Sequence, residues 1–124
     1  NTPTNNERQL RIWQQNINKS LIGQMDLLVA MKRKYDICAI QEPYIDFLGL
    51  TWANSNWTVI YPHNHTKNPK ATRSLILVSA KISSDAWTPL VLNSQDVTGI
   101  EIYGDFGTIR IFNVYNNCKH NDAI

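Results

Sequence analysis

The sequence is short of the residues that usually announce a chemistry. It has two cysteines, Cys38 and Cys118, in 124 residues. Sparse cysteines in a chain with no sign of secretion stay reduced. Cys38 also sits in the apolar run 37–40, the usual place of a buried free thiol. A disulfide framework is therefore not expected. Three scattered histidines, with His63 and His65 lacking a partner pair, do not make a structural zinc site. No apolar run approaches the roughly 18 residues of a membrane span. Residues 1–11 are polar, so no signal peptide is visible, and the sequons at Asn18, Asn56 and Asn64 carry no weight without secretion. Charge of one sign is also lacking: 12 Lys and Arg against 10 Asp and Glu leave +2. That balance excludes a strongly basic DNA-coating protein but leaves nucleic acid open as a partner.

What is present is a core. Hydrophobic residues make up 43% of the chain and charged residues 18%, with four Trp and five Tyr. This is the composition and length of one globular domain. Residues 1–7 read as a frayed polar tail, and 8–124 as the domain. Leu10 to Asn16 reads as a strand. Leu21, Met25, Leu28 and Val29 fall on one helical face, which predicts a helix over 20–34 capped by Asn18 or Ser20. Lys32, Arg33 and Lys34 then sit where the helix dipole favours cations. Ile37 to Ile40 is apolar throughout, as expected of a strand buried on both faces. Pro43 restricts Glu42 to extended geometry. Strand, helix, strand reads as one unit, and the crossover helix allows the two strands to be parallel. Strands are further expected at 57–61, 74–78 and, as an edge strand tolerating Pro89, at 86–92. A hairpin joins 98–103 to 108–115 through a four-residue turn, Gly104-Asp105-Phe106-Gly107. Residues 43–56 and 62–72 read as exposed loops. The class is α/β, with a mixed sheet and one clear crossover helix.

Three polar residues share one position in this plan. Asn16 closes the first strand, Glu42 follows the second and Tyr115 closes the last. In α/β sheets that edge is where sites are built. A carboxylate with an amide suits a hard cation such as Mg²⁺, and a tyrosine hydroxyl suits a phosphate oxygen. The plain alternative is that strands end in polar residues because loops are wet. Trp13, Trp52, Trp57 and Trp87 fit base stacking or core packing, and Lys67, Lys70 and Arg73 fit a phosphate backbone or a solvated loop.

Leu10-Arg11-Ile12-Trp13-Gln14-Gln15-Asn16-Ile17-Asn18, the helix, and Asp36-Ile37-Cys38-Ala39-Ile40-Gln41-Glu42-Pro43 resemble the opening of the endonuclease/exonuclease/phosphatase superfamily, the DNase I-like fold. Arg73 to Val78 and Ile109 to Asn116 resemble its next two signatures, in the right order. The closest flavour is the endonuclease domain of non-LTR retrotransposons, and the likeness runs from about residue 8 to 118. It implies a partial two-sheet α/β sandwich and metal-dependent phosphodiester cleavage with Mg²⁺ or Mn²⁺. It implies that Glu42 binds the metal, that Asn16 serves the metal and phosphate site, and that Tyr115 contacts the scissile phosphate. The partner implied is nucleic acid, DNA first, in an intracellular or nuclear setting, with no membrane.

The departure matters as much. The family's second half carries an Asp-x-Asn motif and a Ser-Asp-His-like motif, and neither occurs here. Gly104 to Gly107 lies before the Asn-Val-Tyr strand and has Gly where Asn is needed, so it reads as a turn. His63, His65 and His120 read as solvated. The expectation is therefore the N-terminal half of a catalytic domain, whether fragment, degenerate remnant or truncated gene model. The rival is a catalytically inactive nucleic-acid-binding or interaction remnant. A half-domain would leave the apolar face of strands 37–40 and 74–78 uncovered, which favours self-association.

Overall fold

A computed structural model describes residues 10–116. The expected termini of the domain, Cys118 and His120 lie outside the described residues. Eight regular elements follow in chain order: β1 (Ile12–Asn16), α1 (Leu21–Met31), β2 (Ile37–Gln41), β3 (Trp57–Ile60), β4 (Ser74–Ser79), β5 (Trp87–Pro89), β6 (Val97–Gly104) and β7 (Gly107–Val114). They form a four-stranded sheet in the order β1-β2-β4-β3 and a three-stranded sheet in the order β5-β6-β7. The crossover helix makes β1 and β2 parallel, and every other pairing is antiparallel. This is the expected mixed α/β architecture with two sheets. Among the described residues no helix is long and apolar enough to cross a membrane.

Two cores lie on the two faces of the first sheet. Helix α1 covers one face, where Leu27, Leu28 and Ile17 meet Cys38, Ile40, Leu75, Leu77 and Trp57. The second sheet covers the other, where Ile100 and Ile102 meet Ile37, Ile60, Ile76 and Val78. The uncovered face expected from a half-domain is thus corrected: β2 and β4 are sealed on both sides by this chain itself. Among the described residues β7 is one of the edge strands, and Ile109, Phe112 and Val114 are exposed on it. Cys38 is buried and free, and burial pushes its thiol up to about 12. It therefore stays protonated and inert at neutral pH. Tryptophan goes to packing: the Trp57 indole is buried and donates to the Leu28 carbonyl at 3.1 Å, while Trp13 and Trp52 lie against the helix-side core and Trp87 against the other.

Several local expectations shift. The helix ends at Met31, so Lys32 to Lys34 lie in the turn beyond it, with Arg33 at φ 69°. Its buried face is Gln24, Leu27 and Leu28, whereas Val29 is exposed. The hairpin is tighter than expected, since Gly104 pairs with Gly107 and only Asp105 and Phe106 remain in the turn. Gly107 has φ 101°, a conformation open to glycine and costly for other residues. The stretch 62–72 is folded rather than loose, with short 3₁₀ turns at His65–Lys67 and Pro69–Ala71. His65 is buried, not solvated: one ring nitrogen meets Thr72 Oγ1 and the other the Gly49 carbonyl, each at 2.6 Å.

Candidate phosphate and metal site

The C-terminal ends of parallel β1 and β2 must lie side by side, which brings Asn16 opposite Gln41 and next to Glu42. Antiparallel β4 starts at the same edge, and Arg73, just before it, accepts the Glu42 amide proton on its carbonyl at 2.9 Å. The Glu42 carbonyl in turn accepts from Lys19 N at 2.8 Å. Both backbone groups of Glu42 are therefore tied down. They hold it at φ 50°, a left-handed conformation rare for a residue with a side chain. This corrects the extended geometry expected before Pro43. The local preference is overridden by two neighbouring segments, and such strain persists only where the surroundings over-determine it. Asn18 and Lys19 are also left-handed, at φ 58° and 61°, so the turn after β1 bends sharply around the same point.

The side chains converge. Asn16 Oδ1 accepts from Asn18 N at 2.8 Å, which fixes the amide so that its Nδ2 donates to Glu42 Oε2 at 3.3 Å. The Tyr115 hydroxyl donates to the same oxygen at 3.0 Å. The three residues singled out in the sequence are brought together at one edge of the sandwich. Glu42 Oε1 carries no hydrogen bond from the described residues, so one carboxylate oxygen is oriented and the other is open. The Tyr115 hydroxyl is raised above its ordinary pKa, first by its hydrogen bond to Glu42, then by desolvation and by the charge of Glu42. The Arg73 guanidinium, 5.4 Å from the centre of the Tyr115 ring, opposes this. Asp96 adds a smaller upward push, and its carbonyl accepts the Tyr115 amide proton at 2.8 Å.

A buried polar seam between the two sheets delivers Tyr115 to this edge, and it was not singled out in the sequence. Asn113 Nδ2 donates across the seam to the carbonyls of Ile40 and Leu75 at 2.9 and 2.7 Å. Ser74 Oγ donates to the Asn113 carbonyl and Thr98 Oγ1 to the Ser74 carbonyl, both at 2.7 Å. Gln41 Nε2 donates to the Val114 carbonyl at 2.6 Å. A signal was available: Ile109, Ile111 and Asn113 alternate, so Asn113 falls on the inward face of a strand where an apolar residue would pack. Gln24 was hidden in a similar way. It belongs to the buried helical face, where its amide donates to Thr51 Oγ1 and the Trp52 carbonyl and accepts from Tyr44 N at 2.9 Å.

No protein-family model and no curated protein matches the sequence. Among solved structures, the endonuclease domain of TRAS1, a telomere-specific non-LTR retrotransposon, is similar, with a TM-score of 0.69 at 17% identity. The likeness covers 93% of this chain and 49% of that one. The chain therefore has an endonuclease-like fold and spans about half the length of this structural neighbour.

Proposed function

We propose that this chain forms the metal- and phosphate-binding part of a metal-dependent phosphodiester hydrolase, an endonuclease of retrotransposon type acting on DNA. The observation that supports this best is the pair of hydrogen bonds from Asn16 and Tyr115 to one oxygen of Glu42, drawn from three strand exits distant in sequence. The donor set fits the implied cation. Mg²⁺ takes oxygen ligands, keeps several waters and is commonly held by one or two carboxylates plus substrate phosphates. In this reading Glu42 holds Mg²⁺ or Mn²⁺ through its open oxygen, and Asn16 completes the site with its amide. The bound ion offsets charge on phosphoryl and leaving oxygens. Tyr115, whose one hydroxyl proton goes to Glu42 in the free protein, would turn that proton to a phosphate oxygen, and Arg73 would place a positive charge beside it.

A single carboxylate predicts weak binding. Calorimetry on the isolated chain is expected to show Mg²⁺ affinity in the weak range typical of sites awaiting phosphate, weakened further in Glu42→Gln. Tight binding untouched by that substitution contradicts the assignment and favours an inactive binding remnant.

Self-association is part of the same proposal, moved to a different surface. An eight-residue strand with one unpaired edge and exposed Ile109, Phe112 and Val114 is a template for pairing with a second chain. Sedimentation should show a concentration-dependent dimer, and Phe112→Lys should return it to monomer. A monomer at every concentration removes this surface from the account.

A further inference from the structure

A groove of about 320 Å³ opens one residue past Glu42, lined by Lys19, Pro43, Tyr44, Ile45, Lys70 and Thr72. That volume lies at the lower end of the range for small-molecule sites, about 300–1,000 Å³. Its walls are two loops that neighbouring groups lock together. Gln24 and Thr51 hold the backbone of Tyr44 from the helix side. His65 ties Gly49 to Thr72, and Lys70 Nζ donates to the Ile45 carbonyl at 2.7 Å. Gly49, at φ 82°, lies so close to Pro69 that a Cβ would come within 2.9 Å of the proline Cβ. The groove is thus formed in the free protein, so a ligand need not order it.

Its chemistry is cationic and aromatic. Lys19 and Lys70 are both exposed. The ammonium of Lys70 spends one of its three donors on Ile45. That of Lys19 has no partner among the described residues. No acid lines the groove, and Asp46, next to Ile45 in sequence, has its Oδ1 accepting from the amides of Leu48 and Leu50 at 2.8 and 3.0 Å. Tyr44 is the aromatic residue of the lining.

We infer that this groove is a subsite for the nucleotide next to the scissile phosphate, with Lys19 and Lys70 gripping the flanking phosphodiester and Tyr44 packing against its base or sugar. The inference rests on the nucleic-acid reading above and adds to it the residues that set the strand's path. Two cations across a preformed cleft, adjoining a phosphate site through the Lys19–Glu42 backbone hydrogen bond, fit a polyanion that continues from one site into the other.

The test is binding of a fluorescein-labelled short DNA duplex to the whole chain, followed by anisotropy over a salt series in the presence of Mg²⁺. Each phosphate neutralised contributes about 0.9 to the slope of log K against log salt on duplex DNA. Lys19→Gln and Lys70→Gln are each expected to flatten the slope by about that amount, and the double variant by about twice as much. Tyr44→Ala should weaken binding about fivefold or more without changing the slope. The control is the double variant Lys32→Gln/Lys81→Gln, two exposed cations lining a different hollow. It should leave the slope unchanged. An equal loss in that control reduces the effect to general attraction and overturns the subsite. An unchanged slope in the Lys19/Lys70 double variant, or no binding by the parent chain at low salt, also overturns it. Failure here is separable from failure of the hydrolase reading. A slope that depends on Lys19 and Lys70, with Mg²⁺ affinity indifferent to Glu42→Gln, keeps the groove and removes the hydrolase. The reverse pair of results removes the groove alone.

Discussion

Incubated with Mg²⁺ and supercoiled plasmid, residues 1–124 are expected to produce no nicks above those of the Glu42→Ala variant. The site gathers one carboxylate, one amide, one phenol and one guanidinium. These can hold a cation and a phosphate. None of them is a free base placed to take a proton from an attacking water. Among the described residues no group of three or more His, Cys, Asp or Glu could hold a metal ion. His65, the histidine best ordered by its surroundings, has both ring nitrogens engaged in joining two loops. Proton transfer by a positioned group contributes about 10²–10⁴-fold in rate, so a site with no such group among the described residues is severely slowed. A longer chain that brings an acid or histidine to the open oxygen of Glu42 should nick, and should lose nicking in Glu42→Ala. Nicking by residues 1–124 that depends on Glu42 means that a base has been overlooked. Asp96, whose charge already reaches Tyr115, and the exposed His63 are then the first residues to replace.

The second large effect is structural. Asn113→Ala is expected to lower unfolding free energy by about 1–3 kcal/mol, measured by urea denaturation, because it removes two buried hydrogen bonds at about 0.5–1.5 kcal/mol each, while the two carbonyls, which face each other across β2 and β4, keep their ladder bonds. Those carbonyls belong to Ile40 and Leu75, the strand neighbours that lead into Glu42 and Arg73. The side chain is 2% exposed, so water cannot substitute without the sheets parting. Asn113→Asp should cost at least as much, since it sets a carboxylate against two carbonyl oxygens. A loss below about 0.5 kcal/mol in Asn113→Ala is smaller than even one such hydrogen bond, and would show that the sheets repack. The same substitution should weaken the contact of Tyr115 with Glu42, which stands two residues further along the chain and depends on where β7 ends.

Much of the fold was legible because local rules carry it. An amphipathic stretch between two apolar runs makes a crossover unit, which allows its two strands to be parallel, as they are. Pro89 correctly marks an edge strand, since β5 sits at the rim of its sheet. Asn16, Glu42 and Tyr115 were legible for the same reason: each leaves an apolar strand at a sheet edge, and topology assembles them. The misread places share another feature. Hydropathy puts Val29 on the core face and passes over Gln24, because it assigns faces by residue type. In the fold Gln24 finds three partners, Thr51, Trp52 and Tyr44, from 20 to 28 residues away. His65 and Asn113 were overlooked likewise, because a buried polar side chain is stable only through partners that no local window contains.

The sequence by itself thus determined the order and type of the main elements, the crossover unit and the three polar residues that leave apolar strands, because these follow from periodicity, turn chemistry and strand ends. Only the tertiary structure decided that the two sheets cover each other, that Glu42 stands at φ 50° with one oxygen held by Asn16 and Tyr115, and that a groove bearing Lys19 and Lys70 adjoins it. The physical reason is distance along the chain. Tyr115 and Glu42 are 73 residues apart, and their 3.0 Å contact exists only once the Asn113 seam has docked one sheet on the other.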